Sequence, residues 1–141
     1  MNMIDLCGNI VKWCPWKGKQ NKRVISKLQQ RAVDVIQTIL PGTLILCEVA
    51  LPIRPKKTLY LDIWLPRHCV GIETHGKQHE KQTKYFHNTK QFAQQKRNDE
   101  LKAEFFRLNN IPLVIFWHDE SEDTWIWKLK KALGTYTDDT K

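Results

Sequence analysis

One stretch, Leu59-Tyr60-Leu61-Asp62-Ile63-Trp64-Leu65-Pro66-Arg67-His68-Cys69-Val70-Gly71-Ile72-Glu73-Thr74-His75-Gly76, constrains the fold more than any other. Read as two strands and a tight turn with Pro66 opposite Cys69, it pairs Ile63 with Ile72 and Leu65 with Val70 on one face. The other face receives Asp62 opposite Glu73, and His75 two residues further along. A slip of one residue would exchange the faces, so the apolar match supports the register independently. The turn expected from this pairing is the two-residue Arg67-His68, although it lacks the usual Asn-Gly chemistry. Carboxylates set directly opposite each other, with Cβ atoms roughly 4.5–5.5 Å apart, destabilise a sheet. A metal ion between them would resolve the conflict.

The flanking sequence supplies the layers around this hairpin. From Lys22 to Leu40, apolar residues at Ile25, Leu28, Ala32, Val35, Ile36 and Ile39 form a helical stripe that Pro41-Gly42 ends. Thr43–Leu51 reads as a buried strand, with Glu48 in its middle expected at the solvent edge, the alternative being that it joins the polar site. Pro52–Lys57 reads as a loop. A long helix is predicted over Asn88–Asn109, with Phe92, Leu101, Phe105 and Leu108 on its apolar side. Ile111–Trp117 is a further strand, and Ser121 is the N-cap of a last helix running to about Leu133. Helix, three strands, helix, strand, helix predicts an α/β fold: a small mixed central sheet of about four strands flanked by helices. The 141 residues suit one domain. Residues 1–21 are expected as an irregular basic arm, 22–118 as the core, and 119–141 as a C-terminal helix and tail.

Charge narrows the choice of partner. The net charge is +8, and the excess is uneven: residues 1–31 hold seven Lys or Arg against Asp5 alone, and residues 77–107 add eight more. Basic charge gathered in segments is a footprint for a polyanion, most often nucleic acid. The alternative is a basic, merely soluble surface. Residues beyond Trp117 are comparatively acidic. No apolar run approaches the ~18 residues of a membrane span, and the N-terminus lacks the pattern of a secretory signal; a cytoplasmic protein with no membrane partner is expected. Cys7, Cys14, Cys47 and Cys69 contain no C-x-x-C pair and are expected as reduced thiols, with a zinc site on Cys7 and Cys14 as the alternative.

Two carboxylates with waters suit Mg²⁺ or Mn²⁺, ions that bind phosphate oxygens and activate water. His75 can orient or deprotonate that water. Each residue taken singly has an ordinary structural explanation; their meeting on one face of a basic chain is what points to a site.

At these residues the chain resembles the PD-(D/E)XK nuclease superfamily, with Leu61-Asp62 where the family has Pro-Asp and Glu73-Thr74-His75 where it has Glu-x-Lys. Asp62-Ile63-Trp64-Leu65-Pro66, Cys69-Val70 and Thr74-His75-Gly76 are closer to the very-short-patch-repair and related homing endonucleases. Glu73-Thr74-His75-Gly76 is also similar to an element of phage junction-resolving endonucleases. The likeness spans about residues 22–118 and is strongest over 59–79. It implies a restriction-endonuclease-like fold and a metal-dependent DNA endonuclease. The metal ligands would be Asp62, Glu73 and the Thr74 carbonyl, with catalytic roles for His75, His79, Asp99 and Gln29. Lys77, Gln78, Lys81, Lys84, Lys96 and Arg97 would hold duplex or branched DNA, and cutting both strands would call for a homodimer. His75 stands where the superfamily has lysine, and Gln29 or Gln30 where the first helix often has glutamate. That second departure motivates the alternative of a non-catalytic nucleic-acid-binding protein on a degenerate nuclease fold; a junction-resolving nuclease is the other.

Overall fold

The structure, a computed structural model, describes residues 1–16, 26–77 and 89–134. Its centre is the hairpin of β4 (Lys57–Leu65) and β5 (Val70–His75), paired Ile63 to Ile72 and Leu65 to Val70 as the apolar pattern requires. The connection is longer than the two residues expected. Pairing ends at Leu65 and Val70, His68 N–H closes a turn on the Leu65 carbonyl at 3.1 Å, and Cys69 takes a left-handed φ of 51°. A turn followed by a left-handed residue supplies the reversal that Asn-Gly would otherwise give.

On the other side of β4 lies β3 (Leu46–Arg54), antiparallel to it, and β6 (Leu113–Trp117) runs parallel to β5. The result is a four-stranded mixed sheet of order β3-β4-β5-β6. A parallel neighbour needs a crossover, and α2 (Thr89–Leu108) provides it. With α1 (Lys27–Ile39) and α3 (Glu122–Ala132), three helices flank the sheet, an α/β architecture as the element order predicts. No helix among the described residues is long and apolar enough to cross a membrane.

Two cores form on the two faces. On one, Ala32, Val35 and Ile36 of α1 and Trp125 and Leu129 of α3 pack on Ile63, Leu65, Ile72 and Phe116. There Trp125 stacks on Phe116 at 4.5 Å and carries the Arg31 guanidinium 4.1 Å above its ring. On the other face, Phe105 and Phe106 of α2 pack on Val49, Leu51, Ile53, Leu61 and Trp64. Only Lys102, Phe105 and Phe106 of α2 are buried, so most of that helix is solvated; the expected apolar contact Leu108 is exposed.

Over residues 1–16 the N-terminal segment is ordered into strands where an irregular arm over 1–21 was expected; residues 17–21 lie outside the described residues. Asn2–Ile4 and Ile10–Lys12 pair as a two-stranded ribbon, β1 and β2. Asp5 drives the reversal: its Oδ1 accepts from the N–H of Cys7 at 2.8 Å and of Asn9 at 2.9 Å, an Asx turn. The ribbon covers the outer edge of β3. Leu6 N–H donates to the Ile53 carbonyl and Trp13 Nε1 to the Ala50 carbonyl, and Trp13 packs edge-on against Trp64 at 4.8 Å. The expected loop over Pro52–Lys57 is likewise mostly strand. Pro52 pairs with Thr58, leaving Pro55 and Lys56 as the turn, because proline is tolerated in an edge strand. In α1 the helix begins at Lys27, since Ser26 accepts from Gln29 N–H as N-cap; residues 22–25 lie outside the described residues.

Candidate metal centre

The sheet places Glu73 and His75 on one face of β5, and α2 lays Asp99 and Lys102, one turn apart, over them. His75 Nε2 is 3.8 Å from Glu73 Oε1 and 3.9 Å from Asp99 Oδ1. One ligand atom from each of Glu73, His75 and Asp99 can be chosen so that all lie within 4.8 Å of one another. Glu73 and His75 are buried, Asp99 half-buried, and the ring of Trp117 closes edge-on against His75 at 4.9 Å. Gln95 Nε2 donates to Asp99 Oδ1 at 3.0 Å. Among the described residues no other three His, Cys, Asp or Glu side chains group in this way. The four cysteines are free thiols, and Cys7 and Cys14 join no such group among the described residues.

Lys102 is the member that sequence reasoning missed. Its Nζ lies 2.5 Å from Glu73 Oε1 and 3.2 Å from the Tyr60 carbonyl, and the residue is only 9 % exposed. Lysine is almost never so buried unless paired. The available signal was its place on the stripe of Phe105 and Phe106, three and four residues on.

Asp62 and Glu73 do meet, in a particular way. Asp62 N–H donates to Glu73 Oε2 at 2.9 Å, while Thr74 N–H and its hydroxyl donate to Asp62 Oδ2 at 2.8 and 3.1 Å. The carboxylates thus take the places that ladder carbonyls would hold. Gln29, buried on α1, donates Nε2 to the Asp62 carbonyl at 3.0 Å. β4 loses its alternation here. Leu61 belongs to the α2 core and Ile63 to the opposite one, though a regular strand sends i and i+2 to the same face. Directly across, Glu48 has a left-handed φ of 54°. It is half-buried, and its charge raises Asp62 less than burial or Glu73 does.

Electrostatics separate the two carboxylates. Burial, then the Glu73 charge, pushes Asp62 up to about 7. Burial opposes the charge on Glu73 too, but the nearby His75 imidazole and the ammonium of Lys102 outweigh it and hold Glu73 below the ordinary range. Lys102 is raised: burial disfavours its charge, and the Glu73 carboxylate more than compensates.

Two carboxylates and an imidazole converging in a buried site fit a divalent cation. Carboxylate oxygens suit Mg²⁺ and Mn²⁺, whereas imidazole suits transition ions, so this donor set does not by itself select Mg²⁺. The main-chain alternation that bonds Glu73 and His75 to β6 turns Thr74 toward β4 and Asp62.

Of the expected DNA contacts, Lys77 is exposed at the end of β5, and Lys96 and Arg97 lie on α2 beside a shallow cavity of about 420 Å³ that Lys90 also lines. Gln78, His79, Lys81 and Lys84 lie outside the described residues. No family model, curated protein or solved structure matches the chain.

Proposed function

We propose that the protein is a metal-dependent endodeoxyribonuclease that hydrolyses phosphodiester bonds. The observation that carries this reading is the buried group of Glu73, His75 and Asp99, with the Lys102 ammonium seated on one of its carboxylates. Such a group opposes stability unless its charges are compensated, because each buried charge loses its hydration, and a bound cation would compensate them. The basic balance of the chain supplies the attraction for a polyanion.

Glu73, Asp99 and His75 would hold the ion. A divalent ion there supplies Lewis-acid polarisation of a phosphate oxygen and acidifies water. Lys102 keeps Glu73 ionised and fixes its orientation. Thr74 holds Asp62 by Oδ2 and Gln29 holds its carbonyl, so Asp62 Oδ1 is the carboxylate oxygen left to align an attacking water. Lys77, Lys96 and Arg97 hold the phosphate backbone, which gives affinity without choice of sequence.

The test is incubation with Mn²⁺ or Mg²⁺ and plasmid, linear duplex, four-way junction and single-stranded DNA. Cutting is expected with at least one ion, lost in Glu73→Gln and Asp99→Asn while DNA binding persists. Calorimetric Mn²⁺ affinity should fall by roughly tenfold or more in His75→Ala. Tight DNA binding with no cutting under any condition would sink the enzyme and leave a non-catalytic binding module.

A further inference from the structure

α2 reaches beyond the sheet it packs on. Phe106 lies over Gly71, Lys102 reaches Glu73, and Asp99 lies 3.9 Å from His75, the last residue of β5. The helix therefore meets the end of that strand at Asp99. Residues 89–98 run on past it for about 15 Å, at ~1.5 Å per residue. No residue of this projection is buried. The metal centre sits at its root, where Gln95 bonds Asp99.

The projection has the chemistry of a duplex-binding helix. Lys90, Ala93, Gln94 and Arg97 recur at i, i+3, i+4 and i+7, all exposed, along the shallow cavity of about 420 Å³. Residues 89–98 hold three basic side chains, Lys90, Lys96 and Arg97, and no acidic one, which suits a polyanion. Their one aromatic ring, Phe92, is half-buried, so the exposed face offers no platform for the bases of a single strand. Nor does that face carry the apolar anchors that seat a helix against a protein groove. A helix about 10–12 Å across fits the B-form major groove, about 12 Å wide, whereas the deep, narrow A-form groove of duplex RNA shuts it out.

Gln94 is held ready to read a base. Its Nε2 donates one hydrogen to Asn98 Oδ1 at 3.0 Å, which fixes the amide and leaves its second N–H and its Oε1 to a ligand. Those two groups match adenine, whose N7 accepts and whose N6 amino group donates in the major groove. Ala93 beside it presents a methyl suited to that of thymine. We propose that the projecting half of α2 lies in the major groove of duplex DNA, where Gln94 reads the adenine of an A·T pair. Lys90 and Arg97 grip phosphates toward either end of the stripe, and Asn98 is a positioning residue for Gln94. Phosphate contacts alone leave the sequence unread; Gln94 supplies the choice. In naming duplex DNA as the substrate class this rests on the nuclease reading, and it sets the base read about 8 Å along the helix axis from Asp99.

The experiment selects bound duplexes from a random DNA pool with the full chain in EDTA, where cutting cannot intervene, and measures anisotropy of the selected sequences. The wild type should enrich an A·T pair at one position and bind it roughly five- to hundredfold more tightly than the same duplex with G·C there. Gln94→Ala should erase that preference and keep the salt dependence, and Asn98→Ala should weaken the preference with the salt slope unmoved. Lys90→Gln and Arg97→Gln should each lower the slope of log affinity against log salt by about 0.9 and weaken all sequences alike. Lys90→Arg should keep the slope, which separates a lost charge from lost folding. No enriched A·T pair, a preference unchanged in Gln94→Ala, or equal affinity for the same sequence as duplex RNA or as a single strand would overturn the proposal. The result is separable from cutting: the read can stand in a chain that never cuts, and can fail in one that does.

Discussion

Replacing Asp62 by asparagine should make the metal-free protein more stable at alkaline pH, although it alters a residue of the candidate site. Burial and the neighbouring Glu73 charge push the Asp62 carboxyl from 3.8 up to about 7. Across that interval the native state keeps a proton that the unfolded chain has released, so stability falls as pH rises. The contribution of the protonated group is complete below about pH 4 and is lost by about pH 7. Over the whole interval the penalty is roughly 4 kcal/mol, at 1.36 kcal/mol per pH unit. Asparagine retains an oxygen for the Thr74 N–H and hydroxyl. The amide NH₂ it adds must find a partner or bear the losses of desolvation and an unmade hydrogen bond; the attraction of Lys102 for the charged form is already contained in the value of about 7. A net gain of about 1–2 kcal/mol remains after those losses, or roughly 3–6 °C in Tm for a domain of this size. Thermal melts followed by circular dichroism in EDTA at pH 4, 6 and 8 measure it. The variant should melt somewhat below the wild type near pH 4, where both side chains are neutral and only the amide cost remains, and overtake it toward pH 8. An asparagine variant that melts with or below the wild type at pH 8 would refute the reasoning, because the fold would then favour the Asp62 charge.

Lys102→Met removes the ammonium from buried Glu73 and should lower unfolding free energy in urea by roughly 3–5 kcal/mol. Adding Glu73→Gln should recover part of that loss; no recovery would mean that packing, not charge, accounts for it. Gly71→Ala places a Cβ 3.0 Å from both Cε1 and Cζ of Phe106 and 3.3 Å from Leu113 Cδ1. Because both neighbours belong to the α2-side core, overpacking should destabilise the protein by about 1–3 kcal/mol in the same assay, and a neutral outcome would show that the ring can shift.

The hairpin register was legible in the sequence because its apolar pairs fix it: a slip would bury charge and expose Ile63 and Ile72. The helices were legible for a related reason, since α1 and α3 each carry an apolar stripe and α3 a serine cap, whereas the Ser26 cap of α1 went unread. The ribbon was not. Ile4 and Ile10 are both exposed, and only Met3, with half-buried Val11 across from it, gives its inner side, too little alternation to read, although Asp5 followed by Gly8-Asn9 carried the turn. Lys102 escaped notice because lysine normally signals solvent, and only its distant partner on β5 reverses that. The break in alternation at Glu48 was hidden too, for glutamate seldom adopts positive φ. Such a residue persists where its surroundings over-determine it, a common circumstance at functional sites.

That break also changes what the facing carboxylates imply. Read from the pairing alone, Asp62 and Glu73 demand a cation between them, because like charges across a sheet repel. In the structure each carboxylate accepts a main-chain N–H of the opposite strand, and Lys102 neutralises Glu73. The kink brings this about. With Leu61 turned to one core and Ile63 to the other, Asp62 lies at the crossing, where its carboxylate can enter the gap in the ladder. Helices on both faces then reach the same pair, α1 through Gln29 and α2 through Lys102. The repulsion is therefore met without an ion, and repulsion ceases to be the reason for one. What could hold a cation is the side of Glu73 that faces α2, where Asp99 brings a second carboxylate to His75 and the lysine is already committed.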